Sequence, residues 1–273
     1  MVAYGVSSMF FHEYTPAEIF SFAGRAGLDG IEFWLETPHF WLRGLPVPEV
    51  VAALQDHPQI STLYVHTPVL DLNPCSINPD VAELSIRYAV SSVDIAEKLG
   101  APVLTLHPGR RTAKRPPTHA DLVRFDRYIT ALRERGVKSN LRLAMENMEP
   151  AVNSLICTPG RMREVLDTEP WLFFTLDTSH ALAVSEEEAL QYIELCSDRL
   201  VEVHLSRADG RRLHLPLDRN PALARILAAL ADHHFHGGLM LEIDDLNFSR
   251  PLTADEKIAI LSQDCAFMKE CME

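Results

Sequence analysis

Four residues could do chemistry together: Glu146, Asp177, His204 and Glu242. Each follows a short apolar run of the kind that forms a buried strand. The runs are Leu141–Met145, Leu172–Leu176, Leu200–Val203 and Leu239–Leu241. A buried strand does not end on a charge unless something there binds that charge. Three carboxylates gathered in one place would repel one another and raise their pKa values, so a cation belongs among them. Three oxygen donors and one imidazole suit a divalent ion: Mn, Mg, Co, Fe or Zn. Four histidines extend the set. His66 and His107 end two further apolar runs, His180 follows Asp177 by three residues, and His214 lies ten residues past His204. These four are candidates either for additional metal ligation or for hydrogen bonds to a substrate.

Such residues meet only if their strands run side by side with their C-terminal ends together. The sequence alternates short apolar runs with longer helical stretches throughout. Strands are expected at Ala3–Ser7 and Gly30–Trp34, and then at runs ending on His66, His107, Glu146, Asp177 and His204 and near Ile243. Helices are expected from Pro16 to about Ala26, Pro48–Gln55, Pro79 to Gly100, Thr118 to Gly136, Pro159–Leu166, Glu186–Cys196, Ala222–Ala231 and Thr253–Cys271. Pro16 after Thr15 sits where a helix tolerates proline, and Thr158 is a candidate N-cap. Eight strand–helix units predict an α/β fold, a (β/α)8 TIM barrel, as a single domain over residues 1–273. The long loops after strands 3, 4, 7 and 8 lie on the face that carries function in this fold.

Composition narrows the function classes. With 273 residues and 47% hydrophobic content, the chain is long and apolar enough for one barrel. A net charge of -13 argues against broad nucleic-acid binding. No run reaches the ~18 apolar residues of a membrane span. Met1–Gly5 has no basic segment followed by an apolar one, so no signal peptide is expected. Five cysteines, odd in number and without a Cys-x-x-Cys pair, read as reduced thiols in a cytoplasmic protein.

The order His66, His107-Pro108-Gly109, Glu146-Asn147, Asp177-Thr178-Ser179-His180, His204, His214, Glu242 resembles the xylose isomerase-like barrel superfamily. That group includes sugar phosphate isomerases and epimerases and the endonuclease IV family of abasic-site nucleases. The resemblance implies a metal-dependent isomerase or epimerase acting on a small sugar or sugar phosphate through an enediolate. In the ketose 3-epimerase branch the residues matching Glu146, Asp177, His204 and Glu242 hold one ion. The two matching glutamates exchange protons with the substrate, and the residue matching His180 touches a substrate oxygen. The alternative is a zinc phosphodiesterase acting on abasic DNA. There three zincs are held by residues matching all eight donors, plus an aspartate two positions before the one matching His214. That position is Arg212 here, with Asp209 nearby.

Around this set, Gly109–Pro117 concentrates Arg110, Arg111, Lys114 and Arg115 on the functional face. Arg207, Arg211 and Arg212 form a second basic group. Arg110, Arg111, Arg207 and Arg212 are candidates for a substrate phosphate or a nucleic-acid backbone. Glu32 and Trp34, with Phe10, Phe11 and Trp41, are expected to wall the pocket. The histidines of His233-His234-Phe235-His236 precede the last strand and belong to the opposite end. The expected partner is a small sugar or sugar phosphate, without a membrane; a homo-oligomer is compatible with the sequence.

Overall fold

A computed structural model describes residues 2–36, 47–210 and 212–273. Trp41 and Arg211 lie outside the described residues. The barrel strands are β1 Ala3–Ser7, β2 Gly30–Trp34, β3 Thr62–His66, β4 Val103–Leu106, β5 Arg142–Glu146, β6 Phe173–Asp177, β7 Leu200–Leu205 and, after a hairpin, β10 Gly238–Leu241. They are all parallel and close into a ring in the order β1-β10-β7-β6-β5-β4-β3-β2. The helices between them are α1 Pro16–Arg25, α2 Val47–Asp56, α3 Pro79–Leu99, α4 His119–Gly136, α5 Pro159–Thr168, α6 Thr178–Leu182, α7 Glu186–Cys196, α8 Pro221–Asp232 and α9 Ala254–Met272. The (β/α)8 barrel expected from the alternation is therefore the fold.

Local chemistry sets the helix ends. Thr15 and Glu18 form a reciprocal cap at the start of α1, with Pro16 in the first turn. Asn78 caps α3, whose other end is closed by Gly100 at φ 70°. Thr158 accepts from the backbone of Arg161 and caps α5, as expected.

The period of two along each strand decides what lies inside the ring. Ile31, Phe33, Leu63, Val65, Leu104 and Leu106 face outward and are buried under the helices. The inward set is layered. At the bottom, Tyr64, Val103, Ala144 and Met240, with Val201 where the β6–β7 register slips by one residue, form a small apolar cluster. Gly5 and Gly238 make room there for the long Met240 side chain; a Cβ on Gly5 would collide with its sulfur. One step up, the inward positions are polar: Glu32, Thr105, Thr175 and Glu202, all fully buried. The top layer holds the candidate donors.

Two elements were not anticipated. The chain after β7 forms a hairpin, β8 Arg207–Asp209 and β9 Arg212–Leu215, antiparallel and outside the ring. A short helix, α6, begins directly at Asp177, whose side chain caps it by accepting from the His180 N–H. Phe10 and Phe11 do not wall the pocket. They are fully buried in the core, in a 3-10 turn after β1.

Candidate metal centre

Glu146 and Asp177 are the last residues of β5 and β6, His204 lies near the end of β7, and Glu242 directly follows β10. These strands are consecutive in the ring. Ring closure brings one donor atom from each residue within 4.8 Å of the others. His204 Nδ1 is 3.0 Å from Glu242 Oε2 and 3.7 Å from Glu146 Oε1. Asp177 Oδ2, Glu242 Oε2 and His204 Nδ1 are buried yet have no hydrogen-bond partner among the described residues. Buried polar atoms are ordinarily paired. Three orphaned donors aimed at one point fit a divalent cation, and the donor chemistry suits one.

The rest of each side chain is fixed so that those atoms face inward. Asp177 Oδ1 accepts from the His180 N–H at 2.7 Å and from the Ser179 hydroxyl at 3.0 Å, leaving Oδ2 for the centre. Asn147 ties β5 to β6: it accepts from the Asp177 N–H at 2.8 Å and donates to the Asp177 carbonyl at 3.0 Å.

The four further histidines join the same mouth. His66 Nδ1 donates to the Thr67 carbonyl at 2.7 Å, which directs Nε2 toward Glu146 Oε2 at 3.4 Å. Trp34 stacks on the His66 ring at 4.0 Å between centroids. His107 lies one residue past β4, with Nε2 3.0 Å from the same Glu146 oxygen. His66, His107 and Glu146 thus form a second donor set. His180 Nδ1 donates to the Asn147 carbonyl at 2.9 Å. Its Nε2 faces the cavity, 3.9 Å from Glu149 Oε2. His214, on β9, has Nδ1 3.7 Å from both Asp177 Oδ2 and Glu242 Oε2. It adopts φ 56°, a left-handed backbone uncommon for histidine. Asp177, His180 and His214 form a third set.

Without a cation the electrostatics are those of a tightly packed ionic cluster. Burial opposes the Glu146 carboxylate, but His107 and His204 outweigh it and hold its pKa well below the ordinary value. Glu242 is likewise lowered against burial, by His204 and His214. Burial raises Asp177 to about 6, with Glu242 and Glu146 adding to it against His180 and His214. His66 rises to about 9 and His180 to about 10; in both, burial is overcome by carboxylates, Glu146 and Glu32 for the first and Asp177 and Glu146 for the second. His204 also rises, because Glu32, Glu242 and Glu146 outweigh its burial.

A cavity of about 530 Å³ opens over the centre, lined by Trp34, His107, Glu146, His180, His214 and Glu242 and by the loops after β3, β4 and β5. Of the four arginines expected to meet substrate, Arg110 alone lines it. Its guanidinium makes no ion pair among the described residues. Gly109, at φ 75°, and Asn73, which bonds the Arg110 backbone on both sides, hold this turn against the loop after β3. Arg111 instead turns to the Pro116 carbonyl at 2.6 Å and toward Asp121. Arg207 pairs with Asp218, and Arg212 pairs with Asp209. Both line a separate cavity of about 620 Å³ on the far side of the hairpin. Arg212 and His214, two apart in β9, would share a face of a regular strand; the left-handed backbone at His214 (φ 56°) breaks that alternation, so His214 turns to the centre while Arg212 pairs with Asp209 outside the mouth.

Glu32 also departs from expectation. It does not wall the cavity but lies beneath the centre at zero exposure. Glu202 and Glu36 are not among the residues that the sequence singles out. A charge at an inward strand position was the available signal for Glu202. Glu36 accepts from the Val69 and Leu70 N–H groups at 2.6 Å each and fixes the loop after β3. A cluster of His12, Glu13 and Asp245 already holds a cation of its own: Lys257 Nζ sits 2.8 Å from Glu13 and 3.1 Å from Asp245. His233, His234 and His236 border a small cavity away from the centre, as expected of a turn before the last barrel strand.

Among the described residues no helix is long and apolar enough to cross a membrane. The chain is 30% identical to protein MJ1188 of Methanocaldococcus jannaschii, an uncharacterized protein, over 98% of this chain and 99% of that one. It is 21% identical to fructoselysine 3-epimerase of Shigella flexneri, over 88% and 90%. Its barrel superposes on D-allulose 3-epimerase from Methylomonas sp. with a TM-score of 0.81 at 18% identity, covering 99% and 98% of the chains. Endonuclease IV from Thermus thermophilus superposes with a TM-score of 0.72 at 20% identity, covering 98% and 99%. The sequence profile of one family matches residues 20–271, nearly the whole chain. The chain belongs to the xylose isomerase-like TIM barrel family.

Proposed function

We propose that this chain is an enzyme, a divalent-metal-dependent isomerase or epimerase of a small sugar or sugar phosphate. The observation that carries the reading is the set of Glu146, Asp177, His204 and Glu242, with three buried donor atoms that none of the described residues satisfies. These four would hold the ion. When bound, it would supply a Lewis acid that polarises adjacent oxygens of a hydroxy-ketone. Glu146 and Glu242 enter from β5 and β10, with β6 and β7 between them. One removes the carbon-bound proton next to the carbonyl and the other returns a proton. Such transfer contributes about 10²–10⁴-fold. His180, anchored through Nδ1, presents Nε2 to a substrate oxygen. The cavity of about 530 Å³ falls within the range of small-ligand sites. Among the described residues Arg110 is the one arginine or lysine on its wall, so a phosphate or other anionic group of the substrate would lie on the β4 side. The relatives named as sugar 3-epimerases support the reaction class. Five unpaired thiols support a reducing, cytoplasmic setting.

Two measurements test this. Elemental analysis of gently purified protein should find a divalent ion. Incubation with ketoses and ketose phosphates in D2O should put deuterium on carbon beside the carbonyl. Metal-free protein whose melting temperature does not move on adding Mn, Co or Zn would overturn the proposal. A second reading, cleavage of abasic DNA, is favoured by the convergence of all eight donors in three sets. Three zincs per chain and incision of an abasic duplex would establish it in place of the first.

A further inference from the structure

We propose that Glu32 is a positioning residue for the metal centre: across the barrel it fixes which nitrogen of His204 is offered to the ion. The inference rests on the metal-centre reading above and adds a role for a buried carboxylate which that reading does not use. Glu32 is on β2 and His204 on β7, three places apart around the ring and 172 positions apart in sequence. Both are fully buried. His204 Nε2 donates to Glu32 Oε1 at 3.0 Å. The two ring nitrogens point in diverging directions, so holding Nε2–H on Glu32 aims Nδ1 at Glu146 and Glu242, where it is left without a hydrogen bond. A histidine can ligate a metal only through a nitrogen that carries no proton. A carboxylate accepts and never donates, so Glu32 holds the remaining ring proton on Nε2 and leaves the Nδ1 lone pair for the ion.

Glu32 shares its layer with a second acid. Glu202, also fully buried, has an oxygen within 4.8 Å of Glu32 and His204 donor atoms. Its other side is anchored by the Thr105 hydroxyl at 2.7 Å, and Thr105 is itself 2.9 Å from Thr175. Barrel interiors are ordinarily filled by branched apolar side chains. Here two carboxyl groups, those of Glu32 and Glu202, stand in their place.

The variant that tests the idea is Glu32→Gln. The amide keeps the shape but can rotate to donate its NH2 to Nε2, which moves the ring proton to Nδ1 and blocks ligation. With zinc as the probe, chelator competition should give an affinity about 10- to 100-fold weaker than in the original protein. Circular dichroism and the melting temperature of the metal-free variant report separately whether it folds. Long-range 1H–15N correlation spectra of the unsubstituted, zinc-loaded protein give an independent readout, with His204 expected to carry its proton on Nε2 and its zinc on Nδ1. Zinc affinity within twofold in folded Glu32→Gln, or zinc found on His204 Nε2, would overturn the role of Glu32. If the unsubstituted protein bound no zinc, manganese or cobalt, the metal-centre reading would fall as well, so the two failures are distinct.

Discussion

Asp177→Asn separates the two jobs of one side chain. Oδ1 of Asp177 caps α6 and Oδ2 faces the proposed ion. Asparagine is as good a helix cap as aspartate, and its single carbonyl oxygen is drawn to the two donors, the His180 N–H and the Ser179 hydroxyl. That choice turns the NH2 group to the centre, where it presents protons instead of a lone pair. The metal-free fold should therefore persist while metal binding fails. Suppose metal is added at about 100 times the dissociation constant of the unsubstituted protein. Linkage then stabilises that protein by about 2.7 kcal/mol. A variant that binds about 100-fold more weakly gains only about 0.4 kcal/mol under the same conditions. For a chain of this size, ~2 °C per kcal/mol is a fair conversion, so differential scanning fluorimetry should read a rise of about 5 °C against about 1 °C. Equal rises in the two proteins, with the variant folded, would refute the assignment of Oδ2 as a donor.

Other outcomes follow from the same geometry. Glu146→Gln and Glu242→Gln should each reduce deuterium exchange into substrate about 10²–10⁴-fold, and an unchanged rate in either would remove that glutamate from proton transfer. Metal affinity should rise with pH, because raised-pKa imidazoles such as His204 must lose protons to bind; calorimetry in buffers of different ionisation enthalpy would detect the released protons. The metal-free protein should lose stability as pH climbs. His66 and His180 bind protons more tightly folded, at about 9 and about 10, than unfolded at about 6.5. Their contribution is therefore complete below about 6.5 and gone above about 10, and a melting temperature flat from pH 6.5 to 9.5 would contradict it. Gly109→Ala should destabilise by about 1–2 kcal/mol in urea unfolding, since φ is 75° and a Cβ would lie 2.9 Å from Asn73 Oδ1.

How much of this was written in the sequence depends on whether the information was local. Strand positions were legible, because apolar runs of four to six residues between capped helices admit few other readings. So were Glu146, Asp177, His204 and Glu242, since a charge at the end of a buried strand stands out in any single run. The same signal identified His66 and His107. The period of two also marks Glu32 and Glu202 as inward, but it does not say how deep an inward residue lies, and both sit below the cavity wall.

Other features had no local signature. The hairpin after β7 is only three and four residues to a strand, and a left-handed backbone at His214, not the strand period, turns that residue to the centre while Arg212 pairs with Asp209. Four cations on two loops look alike in sequence. Only the folded loops leave Arg110 on the cavity and tie Arg111, Arg207 and Arg212 elsewhere. The sequence by itself determined the elements and the candidate donor residues, because periodicity and strand ends are properties of neighbouring residues. Which atom of each donor points at the centre was decided by the tertiary structure. Residues as far apart as Glu32 and His204 acquire a distance, and an imidazole a preferred nitrogen, only when the ring of strands closes.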